Sequence, residues 1–185
     1  MSTEALEQAI ASTRGVLSKV KKEQLGDATP CASWKVRELV NHIVGGQYFF
    51  AAGVEGTPPA GAGDDYADGD FVAAFDEGAK KCVAAFQGEG AMERMLTLPF
   101  GQMPGAAFIG LAATDTFTHG WDLAKATGQS TDLAPGLAAQ LLAGAKQAIQ
   151  PAFRGDEPKP FGAEKPAPAG ASKADELAAF LGRTV

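Results

Sequence analysis

The chain has 185 residues, 45% of them apolar, which fits one domain over residues 1–185 with a sizeable core. Its formal net charge of −6 argues against a nucleic-acid backbone or an anionic membrane surface as the main partner. Two cysteines make no disulfide framework, acidic residues interrupt the N-terminus where a signal peptide would need an apolar run, and no apolar stretch is long enough to span a bilayer, so the expected location is the cytoplasm.

Helical patterns follow one another between Gly and Pro breaks. Leu6, Ala9, Ile10, Thr13, Leu17 and Val20 recur at spacings of three and four, predicting a first helix over residues 4–22, with Lys19, Lys21 and Lys22 at its solvated C-terminal end. After the break Thr29-Pro30-Cys31-Ala32, Ser33 is placed to cap a second helix running to about Ala52. A Gly-, Pro- and Asp-rich loop spans residues 53–69, and Asp70 caps a third helix with Phe71, Phe75, Ala79, Cys82 and Phe86 on its apolar stripe. Residues 92–98 read as extended, with Pro99 to Gly105 a turn or short hairpin arm. The fourth helix runs from about Gly105 to Thr127 and stops at Gly128, and the fifth covers Leu133 to Ile149. A Pro- and Gly-dense segment over residues 151–171 precedes a last short helix from about Lys173 to Leu181. The expected fold is all-α: an antiparallel four-helix bundle with extra short helices and a small hairpin before the fourth.

The chain contains two histidines, and both lie on helical stripes that otherwise face protein. His42 follows the series Leu39, His42, Gly46, Phe49, and His119 the series Phe108, Leu111, Asp115, His119, Asp122. A spacing of four stacks Asp115 and His119 on one helical face, and a carboxylate on such a line is costly to bury without an ion or a donor. His42, Asp115 and His119 are therefore candidate ligands of a divalent metal, zinc first, with nickel, iron or manganese as alternatives, and three protein ligands leave a position open. A core-edge histidine and a local Asp115–His119 ion pair are the bland alternatives. Asp122 is placed either as an ordinary surface carboxylate, the reading favoured, or to accept a hydrogen bond from a ligating imidazole. Trp34 and Trp121 read as core anchors ahead of ligand-stacking residues. Asn41 reads as local polar structure, and Gly45-Gly46 as a close helix approach or as space above a metal.

The segments Thr29-Pro30-Cys31-Ala32-Ser33-Trp34 through His42, Leu98-Pro99-Phe100-Gly101, Asp115-Thr116-Phe117-Thr118-His119-Gly120-Trp121-Asp122 through Gly128, and Asp175 through Arg183 resemble actinobacterial metal-binding proteins related to the N-terminal domain of mycothiol-dependent maleylpyruvate isomerase, within the DinB-like superfamily. The resemblance implies a metal held by His42, Asp115 and His119 and a low-molecular-weight thiol of the mycothiol type as cofactor. It implies a transferase or isomerase acting on a small electrophilic substrate. This chain has aspartate where the isomerase pattern has glutamate before the second histidine. Neither Cys31 nor Cys82 lies on the ligand lines, which favours an exogenous thiol as nucleophile. A metal-dependent hydrolase and a non-enzymatic metal- or ligand-binding protein are the alternatives, and a homodimer through the apolar helices is open.

Overall fold

The computed structural model describes residues 2–59, 61, 63–155 and 159–185. It contains the helices α1 (Glu4–Leu17), α2 (Val36–Glu55), α3 (Phe71–Gln87), α4 (Gly105–Ala126), α5 (Pro135–Ala148) and α6 (Lys173–Phe180) and the antiparallel hairpin β1 (Met95–Leu98) and β2 (Gly101–Pro104). The first four helices form the expected bundle, with neighbouring pairs of both senses. Near one end Thr3 of the α1 entry meets Gln87 of α3, and further along Arg14 meets Asp76, so α1 and α3 run in opposite directions. His42 faces Asp115 while Gly53 faces Phe108, so α2 and α4 are also antiparallel. By contrast α1 and α4 run the same way, with Thr13 donating to the Thr116 carbonyl and Gln129 reaching the Val16 carbonyl. Helices α2 and α3 are parallel too, joined from Asn41–Ala67 to Tyr48–Ala74.

The core follows the predicted stripes: Phe75, Phe86, Phe108, Phe117 and Trp121 are all buried. Asp70 caps α3 by accepting from the Ala73 amide, and Gly128 takes the left-handed conformation (φ 69°) just past α4. The hairpin closes across Pro99-Phe100 and feeds directly into α4, and Ser172 caps α6 through the Asp175 amide. The segment before α6 is tied back by Arg154, which donates to the Gly162 and Phe180 carbonyls.

Three boundaries differ from the sequence reading. Helix α1 ends at Leu17, where Lys19 and Val20 bond three residues back and tighten the turn, so the three lysines lie beyond the helix and Leu25 anchors a 3-10 turn at Lys22–Gly26. The N-cap position of α2 is Lys35, two residues after Ser33. The Thr29 hydroxyl accepts from the Cys31 amide and donates to the Trp34 carbonyl, and a bridge pairs Ala28 with Lys35, holding residues 28–35 in a turn that delays the helix to Val36. At the other end α2 continues past Ala52 to Glu55 and is stopped by Gly56 at φ 71°.

Gly120 is where α1 and α4 touch most closely. A Cβ there would lie 2.3 Å from Thr13 Oγ1 and 3.2 Å from Thr13 Cα, against backbone as well as side chain. Alanine would gain about 1 kcal/mol of helix propensity. The clash, costing about 1–3 kcal/mol, also disturbs the buried Thr13–Thr116 hydrogen bond. Gly120→Ala is expected to lower stability by a net of about 1–2 kcal/mol in urea unfolding. An unchanged or raised midpoint would show that α1 and α4 have room to spread.

Candidate metal centre

His42, from the middle of α2, and Asp115 and His119, one turn apart on α4, meet across the antiparallel α2–α4 seam. His42 Nε2 lies 3.5 Å from Asp115 Oδ2, and His119 Nε2 lies 3.5 Å from Asp115 Oδ1. The imidazoles meet edge to face, with centroids 4.5 Å apart. One ligand atom from each of the three residues falls within 4.8 Å of the others. Ligands about 2.1 Å from a tetrahedral ion stand about 3.4 Å apart, so these separations suit a shared ion better than direct hydrogen bonds. Among the described residues, His42 Nε2 is buried without a hydrogen-bond partner, which leaves its lone pair or proton available to the space beside Asp115. The donor set of two imidazoles and a carboxylate fits a divalent metal.

The electrostatics favour a cation in the same place. Burial alone would raise the Asp115 carboxyl, but the positive charge of the adjacent His119, then of His42, holds it well below the usual carboxylate range. Burial would depress His119. The Asp115 charge outweighs that, and with the hydrogen bond that the imidazole donates to Asp122 it pushes His119 well above its ordinary value. A cation entering this group would have to compete with the imidazole protons for the Asp115 charge.

Behind His119 the structure supplies parts that helical spacing alone does not show. Asp122 is fully buried, which corrects its reading as a surface carboxylate, and its Oδ2 lies 3.0 Å from His119 Nδ1. Nδ1–H donates to Asp122, so when a cation displaces the other imidazole proton it is Nε2, facing Asp115, that would offer the lone pair. Asp122 is gripped in turn by Arg183, whose Nε and Nη2 donate to its two oxygens at 3.2 and 3.0 Å. Arg183 arrives from beyond α6, which is itself fastened to α4 by the Trp121 indole donating to Asp175 at 2.8 Å.

Trp121 is the core anchor expected, whereas Trp34 is half-buried and covers both imidazoles, its ring centroid 4.6 Å from that of His42 and 5.5 Å from that of His119. Cys31, in the turn before α2, places Sγ 3.4 Å from Asp122 Oδ2 and 4.0 Å from His119 Nδ1. It therefore sits behind His119, on the side away from Asp115, and forms with His119 and Asp122 a second close group of potential ligands. Cys82 lies in the core, where burial pushes its thiol up to about 12. A thiol reagent is expected to modify Cys82 only when the protein unfolds, and rapid labelling of Cys82 in the native protein would contradict its placement.

Two residues have structural work of other kinds. Asn41 fastens the loop before α3, donating to Asp65 and accepting from the Ala67 amide. A Cβ on Gly46 would stand 3.8 Å from Asp115 Oδ2, so glycine keeps the space beside the carboxylate clear.

Residues 6–124, which carry all three ligand candidates, match the mycothiol maleylpyruvate isomerase N-terminal domain family. The chain belongs to this family. Two relatives from Mycobacterium tuberculosis, uncharacterized protein MT0763 of strain CDC 1551 / Oshkosh and uncharacterized protein Rv0738 of strain ATCC 25618 / H37Rv, are each 47% identical over 174 residues, covering 92% of this chain and 91% of theirs. Among solved structures, the crystal structure of the mycothiol-dependent maleylpyruvate isomerase superposes with a TM-score of 0.58 at 14% identity, over 76% of this chain and 66% of that one. That likeness shows a shared fold, and the chain spans just under two thirds of the isomerase's length. Arg183 lies outside the family segment and reaches the site only through the packing of α6. No described helix is long and apolar enough to cross a membrane.

Proposed function

We propose that this protein is a divalent-metal-dependent enzyme that uses a low-molecular-weight thiol of the mycothiol type on a small electrophilic substrate, as an isomerase or a thiol transferase. The observation that carries this reading is the buried His42 Nε2, without a hydrogen-bond partner among the described residues and set 3.5 Å from the Asp115 carboxylate that His119 also faces. The family and the thiol dependence named for the solved isomerase support the choice of thiol.

His42 Nε2, Asp115 and His119 Nε2 would hold the ion. When bound, a divalent metal lowers the pKa of a thiol at its open position and keeps the thiolate beside the electrophile. The chain's own residues do the rest. Asp122 accepts a hydrogen bond from Nδ1–H of His119 and keeps its tautomer fixed, Arg183 holds Asp122 in place, and Trp34 packs against both imidazoles. Gly46 leaves room beside Asp115. Cys31 donates toward Asp122 from behind His119, which suits an exogenous nucleophile. Addition of that thiolate to a conjugated double bond moves the electron pair onto the substrate carbonyl oxygen. Rotation about the resulting single bond and expulsion of the thiolate give the geometric isomer, whereas displacement of a leaving group gives thiol transfer.

Titrating cobalt-substituted protein with mycothiol tests this reading. A sulfur-to-cobalt charge-transfer band that saturates with thiol is expected, and an unchanged spectrum at millimolar thiol would contradict it.

A further inference from the structure

The face of α2 that carries His42 continues through Gly46, Phe49 and Gly53, each a turn further along. At Gly53 the hairpin closes over it: a Cβ there would lie 2.9 Å from Leu98 and 2.8 Å from Phe108. Between the candidate centre and that closure, Phe49 packs edge-on against Phe108 and stands 6.4 Å from Phe100 at the hairpin tip. Beyond Phe49, between the end of α2 and strand β1, lies a cleft of about 680 Å³ walled by Phe49, Val54, Pro58, Met95, Leu98 and Pro99. Its volume is that of a small-molecule site.

The hairpin also exposes apolar surface that the fold does not need. Met95 is 60% and Phe100 57% exposed, and among the described residues the one other large apolar side chain so exposed is Phe153. Met95 in the wall of the cleft, and Phe100 next to its Pro99 and facing Phe49, lie beside the helix face that leads to the candidate metal centre and are explained by a ligand that covers them. The wall also carries Arg94, which donates to the Val54 carbonyl and keeps its charge, and Glu55, whose negative charge offsets it and opposes a carboxylate ligand.

We infer that the cleft between α2 and the hairpin binds an apolar, aryl- or alkyl-bearing body of the substrate, with Phe49, Phe100 and Met95 as specificity-determining residues, and that a short dicarboxylate is not the preferred ligand. The inference rests on the proposed function in taking the His42, Asp115 and His119 face as the reacting end. Phe49 lies about 10 Å along the helix from His42, so the reactive group and the apolar body are separated by a short chain.

Matched chelators test the two parts separately. Acetohydroxamate carries only a metal-binding head, phenylpentanoic hydroxamate adds an apolar tail, and the monohydroxamate of succinic acid adds a carboxylate. On zinc-loaded protein, calorimetry is expected to show the phenyl compound binding at least about tenfold more tightly than acetohydroxamate, with the succinic compound gaining nothing. Phe100→Ser and Met95→Glu, both at exposed positions, are expected to remove that gain and to leave acetohydroxamate binding as it was. Equal affinity of the phenyl and acetyl compounds, or a preference for the succinic one, overturns the inference while leaving the metal centre standing. If no hydroxamate binds, the metal reading fails and phenylbutanol decides the cleft alone. Chemical-shift changes confined to Met95, Phe100 and their neighbours sustain the inference, and their absence overturns it.

Discussion

Replacing Asp122 by alanine is expected to cost about 3 kcal/mol of stability, because it strands the Arg183 guanidinium, 15% exposed, against a site built for a fully buried carboxylate. The partners already hold the Asp122 carboxyl below its usual range: burial opposes ionisation, and His119 and Arg183 overcome it. The same substitution removes the acceptor that fixes the His119 tautomer, so metal affinity is expected to fall about 10–100-fold as well. Asp122→Asn keeps an acceptor for Nδ1–H and should recover more of the metal affinity than of the stability. Denaturant unfolding and competitive chelator titration read the two effects separately. If alanine changes neither, the Arg183–Asp122–His119 relay has no energetic role.

The second large effect belongs to Asp115. Its carboxylate spans the two imidazoles, with one oxygen toward each, so Asp115→Ala removes both a ligand and the charge that draws a cation there. Metal affinity is expected to fall by more than about 100-fold, since the loss exceeds that of an outer partner, while helical circular dichroism stays near wild type. The side chain is partly open to solvent and belongs to neither apolar core, so the bundle does not depend on it. Loss of the fold would instead make Asp115 structural, and metal binding at wild-type strength would remove it from the ligand set.

Local information made much of this legible in the sequence. Asp115 and His119 sit four residues apart on a helix whose start after a Pro-Gly pair and whose stop at Gly128 are both written in residue type. The helical period likewise places His42 on the α2 stripe. The parts that were missed depend on long-range packing. Arg183 is 61 positions from Asp122 and meets it only because Leu177 and Leu181 bury α6 beside α4. Cys31 is 88 positions from His119 and arrives through a turn set by the Thr29 hydroxyl. Asp122 reads as a surface carboxylate because the Arg183 that lets it be buried is 61 positions away in sequence. A signal was present in the C-terminal arginine, which follows a buried apolar helix and has no acidic neighbour of its own.

The central claim is that His42, Asp115 and His119 hold one metal ion together. Native mass spectrometry of zinc-reconstituted protein, run beside His42→Ala and His119→Ala, tests it most directly. One zinc per wild-type chain, and none in either variant while both remain folded, is the predicted result. Stoichiometric zinc in a folded His42→Ala protein would contradict it.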